Sequence, residues 1–269
     1  MKKLSIITIC LNEPDLEKTC ESIVEQTWQD FEWIVLDGGS NAQTLAIFEK
    51  YKARIDKFIS GKDGGIYDAY NKGVALASGK FVNFMNAGDY FYDKNVLKCF
   101  DISTQDDDAD VYYGQTVFFY QDKLKLIELS HHPKNVSRNY FILEVPNTQA
   151  MFIKKELFNK YGLFDRRYKI AADYDRWLCF FTNKAAFKSI PIVVAIYNMY
   201  GISTSKSTAI EIRNIKHNYF TQEEIERVEN AQPMKYKWLE LLFSIKNSPL
   251  RTYKIITILG FHIKIIDKG

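Results

Sequence analysis

No stretch of about 18 consecutive apolar residues occurs in this chain, so no membrane-spanning helix is expected. The start, Met1-Lys2-Lys3-Leu4, runs directly into an apolar segment and lacks the long apolar region and small-residue cleavage site of a signal peptide. Cysteine is scarce. Cys10, Cys20, Cys99 and Cys179 are scattered without a CxxC, which argues against a disulfide frame or zinc site and for reduced, mostly buried thiols in the cytoplasm. His131-His132 has no partner at zinc-ligand spacing. The net charge of +3 is too small to imply nucleic acid as a partner. A G-x-G-x-x-G is missing after the first apolar run, where Leu11-Asn12-Glu13-Pro14 stands instead, and this speaks against a nicotinamide-dependent dehydrogenase. There is neither an internal repeat nor a low-complexity linker.

What is present is an ordinary globular composition, 46% hydrophobic and 26% charged, in 269 residues. That length allows one sizeable α/β domain with an elaborated end. Aromatics are plentiful at 15%, enough for a ring-stacking cleft as well as a core. Leu4 to Cys10 is a continuous apolar run, the mark of a strand covered on both faces. Pro14 suits the first turn of a helix reaching about Thr27. A second buried strand covers Glu32 to Leu36, then a helix runs through Tyr51 and a short strand spans Lys57 to Ser60. Two glycines at 64 and 65 open a further helix, on which Asp68, Asn71 and Lys72 share a face. Strand and helix alternate, which predicts a parallel sheet with right-handed crossovers.

The run Lys80 to Asp89 (KFVNFMNAGD) is the centre of the pattern: a buried strand that stops in turn chemistry. Asp37, Asp63 and Asp89 each follow a predicted strand, and in a parallel sheet those ends gather along one edge where ligands bind. Asp89 is a hard oxygen ligand suited to Mg²⁺ or Mn²⁺ on a diphosphate. After Asp89 the rhythm changes. A short helix is expected over Asp93 to Phe100, then an acidic loop at 106–108. Strands at Val111 to Tyr120 and Lys123 to Leu129 have no helix between them, so this half should be antiparallel and form a second cleft wall. Pro146 to Ile153 reads as a strand entering a helix at Lys154, and Asp173 reads as the N-cap of another helix. Ile190 to Tyr200 is a last strand, residues 201–205 a polar loop, and the chain from Thr208 is helical.

The ordered motifs LSIITICLNE, IVLDGGS, DGGIYDAYNKG, FVNFMNAGD and IAADYDRWL resemble the family 2 glycosyltransferases, and the likeness runs from Leu4 to about Ser205. These are inverting enzymes, and the subgroup most similar makes bacterial surface polysaccharides. The resemblance implies an α/β GT-A fold: a Rossmann-like, mostly parallel sheet flanked by helices, an added antiparallel acceptor-side half, and a helical C-terminal end. It divides the chain into a domain of residues 1–205, with a nucleotide-sugar half at 1–90 and an acceptor half at 91–205, and a helical and hairpin extension at 206–269.

The resemblance further implies that Thr8, Leu11, Asn12, Glu13 and Ser40 line the donor pocket. Asp37 accepts from the base, Asp63 lies near base and ribose, and Asn71 and Lys72 lie toward the sugar diphosphate. Asn86, Ala87 and Gly88 complete the donor side, and Asp89 is the surviving acid of an Asp-X-Asp motif holding Mn²⁺ or Mg²⁺. Asn86 or Gly88 stands where other members have a second acid. Asp173 matches the catalytic base, and Gln149 belongs to the acceptor side. Trp177, one turn on, either stacks on a sugar or packs in the core.

Two departures stand out. The Glu that precedes the base in the family is Ala172 here, so Asp173 works alone or the role slips to Asp175. The His that many members place before Gln149 is Thr148. The lost Glu keeps a second reading open, a non-catalytic sugar-nucleotide-binding protein on the same fold. The implied donor is a UDP-sugar, with GDP as the alternative, and the implied acceptor a saccharide or lipid-linked saccharide. The tail from Lys235 mixes Lys and Arg with apolar residues, which suits peripheral contact with an anionic membrane surface. The rhythm of YKIITILGFHIKII, with Gly260 as its turn, suits a hairpin packed on the body or on a second subunit.

Overall fold

A computed structural model of the protein describes residues 2–106, 108–119, 127–130, 132–198, 206–231, 243–247, 253–258 and 261–266. The first half alternates as expected: β1 (Leu4–Cys10), α1 (Leu16–Val24), β2 (Phe31–Asp37), α2 (Ala42–Tyr51), β3 (Lys57–Ser60), α3 (Ile66–Leu76) and β4 (Phe81–Phe84). The four strands are parallel in the order β3-β2-β1-β4. Ile6 and Ile7, neighbours in β1, enter two different core clusters, so helices cover both faces and the strand can be apolar throughout. The chain lays β2 and β3 on one side of β1, then crosses back to place β4 on the other. This reversal makes the carboxyl ends of β1 and β4 a topological switch point, where open α/β sheets leave a crevice. Helix α1 begins after Pro14 rather than on it, with Asp15 at the N-cap position.

The second half holds β5 (Tyr90–Phe91), α4 (Val96–Ser103), β6 (Val111–Phe119), β7 (Ile127–Leu129), α5 (Arg138–Leu143), a 3-10 turn (Thr148–Ala150), β8 (Met151–Lys154), α6 (Lys155–Tyr161), α7 (Ala172–Thr182) and β9 (Phe187–Asn198). The sheet continues from β4 through β8, β6 and β9 to β5, with β7 beside β6. Pairings of β8, β7 and β5 are antiparallel, as expected for this half. The exception is β6 with β9, which run parallel. The chain between them is long enough for the crossover that a parallel pair needs. Helix α4 starts at Val96 rather than Asp93, and the expected strand from Pro146 is instead a 3-10 turn before β8.

Helices α8 (Lys206–Tyr219) and α9 (Gln222–Ala231), with Phe220 between them, bury Ile215, Phe220, Ile225 and Val228 in the same cluster as Tyr174 and Trp177. Each such side chain removed from water stabilises by about 1.5–3 kcal/mol, so these helices are anchored to the body. Strands β10 (Phe243–Asn247), β11 (Tyr253–Ile258) and β12 (Phe261–Ile266) form a separate antiparallel sheet containing the expected hairpin. Ile245, Ile256 and Ile263 stand at one register level, and Phe243, Ile258 and Phe261 at another. Expectations for Asp107, residues 120–126, His131, Met199, Tyr200, the 201–205 loop and the turn at Gly260 fall outside the described residues. Among the described residues no helix is long and apolar enough to cross a membrane.

Candidate active site

The loops after β1 and β2 are tied together at the rim of the crevice. Asp37, buried at the end of β2, accepts from the Ser60 hydroxyl (2.6 Å) and from the amides of Gly39 and Ser40 (3.1 Å each). Asn12 adopts φ 54°, a left-handed conformation that Asn tolerates better than most residues. In that pose its amide donates to Ser40 Oγ (2.8 Å) and its Oδ1 accepts from the Asn41 amide (2.8 Å). Leu11 projects beside them with 62% of its surface exposed. Asp63 Oδ1 accepts from the Gly65 amide, while Oδ2 lies beside Gly38, 3.4 Å from where a side chain there would begin. Asp37 and Asp63 therefore lie together at the strand ends, with Gly38, Leu11, Asn12 and Ser40 beside them.

At the switch point, residues 86–89 form a tight turn in which the Asp89 amide donates to the Asn86 carbonyl (3.0 Å). Thr19 of α1 holds the turn: its hydroxyl accepts from the Gly88 amide (2.9 Å) and donates to the Asp89 carbonyl (2.7 Å). Gly88 has φ +93°, and a Cβ there would sit 3.0 Å from the carboxyl carbon of Glu13. The Glu13 carboxyl thus occupies the space beside Gly88. Asp89 is buried, with Oδ1 accepting from the Asn198 amide (2.9 Å) and Oδ2 from Gln149 Nε2 (2.7 Å). Burial, reinforced by Glu13 and only partly offset by those two bonds, pushes its carboxyl up to about 8.

The 3-10 turn joins this carboxylate to a second one. Buried Asn83 of β4 donates to the carbonyls of Gln149 and Met151 (3.0 and 2.9 Å) and fixes the turn against the sheet. Gln149 then reaches Asp89, while its neighbour Thr148 donates to Asp173 Oδ2 (2.9 Å). Asp173 Oδ1 accepts from the Tyr174 amide (2.9 Å) and faces the Tyr67 hydroxyl at 3.0 Å. That hydroxyl also lies 2.5 Å from the Ile170 carbonyl, so one proton serves both acceptors. Burial raises the Asp173 carboxyl above its ordinary range against the opposing bonds from Thr148, Tyr174 and Tyr67. The residue as a whole is half-buried.

Several expected roles change. Asp173 is not the N-cap of α7, because Ala171 takes that position and the carboxylate turns inward. Asp175 points elsewhere, paired with Arg176 (2.8 Å) and accepting from the Tyr219 hydroxyl (3.0 Å), so the base cannot slip to it without breaking a buried pair. Trp177 has no exposed surface and packs among Phe158, Phe164 and Phe180; of its two readings, core packing holds. Thr8 is likewise fully buried and accepts from the Trp33 indole (3.0 Å), so it supports the strand instead of lining a pocket. Both ends of the Asn71 amide bind the Phe164 backbone (2.9 Å each), and Lys72 pairs with Asp68 (2.8 Å). Cys10 and Cys20 are buried, with thiols pushed up to about 11 and about 12 by desolvation, so neither is a nucleophile.

Sequence reasoning misses the contributions of Thr19, Tyr67, Tyr70 and Asn83. Tyr67 and Tyr70 are three apart on α3, and that spacing is a usable signal: one hydroxyl reaches Asp173 and the other donates to Asn86 (2.8 Å).

The model of glycosyl transferase family 2 matches residues 5–174, a span that holds both carboxylates and the turn between them. The chain belongs to glycosyl transferase family 2. The PGL/p-HBAD biosynthesis glycosyltransferase of Mycobacterium bovis is 30% identical to this glycosyltransferase over 208 residues, covering 73% of this chain and 77% of that protein. An uncharacterized glycosyltransferase of Methanocaldococcus jannaschii is 26% identical over 196 residues, covering 70% and 67%. Among solved structures, S. aureus TarS 1–349 in complex with UDP superposes with a TM-score of 0.65 at 19% identity, over 84% of this chain and 69% of that one. The mannosyltransferase PcManGT of Pyrobaculum calidifontis, in complex with GDP-Man and Mn²⁺, gives 0.56 at 17% identity, over 80% and 61%. These likenesses show the GT-A fold of the enzyme.

Proposed function

We propose that this glycosyltransferase moves a sugar, with inversion, from a nucleotide diphosphate sugar to a hydroxyl of a saccharide or lipid-linked saccharide in bacterial surface polysaccharide synthesis. A UDP-sugar is the first choice of donor and a GDP-sugar the second. The observation that carries the reading is the pair of carboxylates, Asp89 and Asp173, bridged by Gln149 and Thr148 at the switch point. The acceptor oxygen bonds to the anomeric carbon from the face opposite the diphosphate, while the bond from that carbon to the diphosphate oxygen breaks. Asp173 takes the hydroxyl proton, and the electron pair leaves with the nucleoside diphosphate. A base in this role contributes about 10²–10⁴-fold, and a raised pKa brings it nearer the working pH. We assign Leu11, Asn12, Asp37, Ser40 and Asp63 to the nucleoside side; the complexes of the structural neighbours with UDP and GDP-Man support a nucleotide sugar as donor.

A divalent ion fits the donor set at the turn. Glu13 adds to the raised carboxyl of Asp89, and each Asp89 oxygen keeps lone pairs beyond the one bond it accepts. Among the described residues no group of three or more His, Cys, Asp or Glu gathers. Mg²⁺ and Mn²⁺ bind through one or two carboxylates and complete their shell with substrate phosphates. Asp89 and Glu13 would hold the ion, which would neutralise the leaving diphosphate as a Lewis acid. We place the enzyme in the cytoplasm, with its basic tail making salt-sensitive contact with the inner face of the membrane.

The test is a panel of UDP-glucose, UDP-galactose, UDP-GlcNAc and GDP-mannose, each with and without Mn²⁺ or Mg²⁺, followed by nucleotide release. Slow, metal-dependent hydrolysis of one donor is expected. Binding of a sugar nucleotide with no release under any condition would favour the non-catalytic reading.

A further inference from the structure

The first turn of α7 carries Asp173, and its backbone has a problem. A helix start leaves amide groups without partners, and they are usually met by a side-chain oxygen at the N-cap. Here the N-cap residue is Ala171, which has none. Inside the turn Asp173 itself accepts from the Tyr174 amide, and the amides leading into the helix find their acceptor on another helix. Glu211 of α8 takes the Lys169 amide on Oε1 (2.8 Å) and the amides of Ile170 and Ala171 on Oε2 (2.9 and 3.0 Å). Ile170 is the residue whose carbonyl meets the Tyr67 hydroxyl, and that hydroxyl faces Asp173. A continuous path therefore runs from Glu211 through the 169–171 backbone to Tyr67 and the carboxylate. Helix α8 is itself fixed: Ile215 is fully buried, and the Tyr219 hydroxyl donates to Asp175 Oδ1 (3.0 Å). Burial opposes ionisation of Glu211, but the three amides hold its carboxyl below the ordinary range. The family match ends at residue 174, so Glu211 lies outside it.

We propose that Glu211 is a positioning residue for the transfer reaction, setting Asp173 through residues 169–171 and Tyr67, so that α8 is part of the active site. The proposal rests on the reading of Asp173 as base.

The experiment measures UDP release from the UDP-sugar that the panel selects, in full-length Glu211→Ala, Glu211→Gln, Asp173→Asn and the double variant Glu211→Ala/Asp173→Asn. Glu211→Ala should lower kcat about 10–100-fold, equivalent to about 1.4–2.7 kcal/mol, while UDP affinity stays within twofold. It should also move the acid limb of the kcat–pH profile, which a loss of folded enzyme alone would not do. Glu211→Gln keeps one acceptor oxygen and should recover part of the loss, and it serves as the readout if the alanine variant does not fold. In the Asp173→Asn background Glu211→Ala should have no further effect on kcat. Wild-type kcat and pH profile in folded Glu211→Ala, or in folded Glu211→Gln where only that variant folds, with Asp173→Asn inactive, would overturn this proposal alone. Fully additive losses would overturn it as well. An active Asp173→Asn would overturn the base assignment first, and this proposal with it.

Discussion

The two ends of the parallel sheet treat buried acids in opposite ways. At the amino end Glu32 accepts from the hydroxyls of Ser5 (2.5 Å) and Ser78 (2.8 Å) and pairs with Lys57 (3.0 Å). Burial works against its charge, yet those partners lower it to about 2. At the carboxyl end Asp89 and Asp173 are also hydrogen-bonded, but among the described residues neither has a basic side chain within ion-pair distance, and burial raises both. Glu32 gathers more hydrogen bonds than Asp89, the Ser5 hydroxyl foremost, and adds the Lys57 ammonium, whereas burial outweighs the bonds at Asp89 and Asp173. Where an acid serves stability alone, the fold supplies the counter-charge. At the carboxyl end it leaves the charge uncompensated, as the proposed metal ligand and proton acceptor require.

The sharpest way to break this contrast is at Asp89. Asp89→Asn should abolish nucleotide release from the selected donor and remove the Mn²⁺ dependence of UDP binding, measured by titration. Retained activity in the folded variant would show that the uncompensated acid is not waiting for a cation. Trp177→Ala should cost about 3–5 kcal/mol in urea unfolding, because the ring is fully enclosed. A change in substrate KM at unaltered stability would return this residue to the acceptor side.

Glu32→Gln probes the other end of the sheet and should cost up to about 3 kcal/mol at neutral pH, the equivalent of its pKa difference. The sign follows from the lowered value. Its contribution is complete above the unfolded pKa near 4.5 and is lost as pH falls toward about 2, so the variant should lose that part of the acid dependence. The smallest effect is expected from removing residues 235–269. UDP release in solution should stay unchanged, while flotation with anionic vesicles at low salt should fall, each basic residue being worth about 1 kcal/mol. Equal flotation of both forms at low salt would take the tail out of the account.

Legibility in the sequence follows the length of the contacts. Asp37 bonds residues two and three positions on, and Asp63 bonds one two positions on, so their loops announce themselves as acid and glycine motifs. The alternation of strands and helices is equally local, and the first four strands are readable to within a residue or two. Asp173 depends on Tyr67, 106 residues away, and Asp89 on the amide of residue 198, 109 away. No window along the chain contains such pairs. Thr148 reads as a loss because a histidine is missing, whereas its hydroxyl is what holds the carboxylate. Burial decides Trp177 and Thr8, and one aromatic or one threonine carries no record of which side of a packed layer it faces.

The central claim is that Asp173 takes the acceptor proton, and the direct measurement is turnover and UDP affinity in Asp173→Asn beside Asp175→Asn. Turnover of Asp173→Asn should fall by about 10²–10⁴ with UDP affinity unchanged. The wild-type kcat should rise with pH through a value above the usual carboxylate range, as the raised pKa of Asp173 requires. An Asp173→Asn enzyme that turns over at the wild-type rate, or an Asp175→Asn enzyme that is folded and inactive while Asp173→Asn works, would contradict the account.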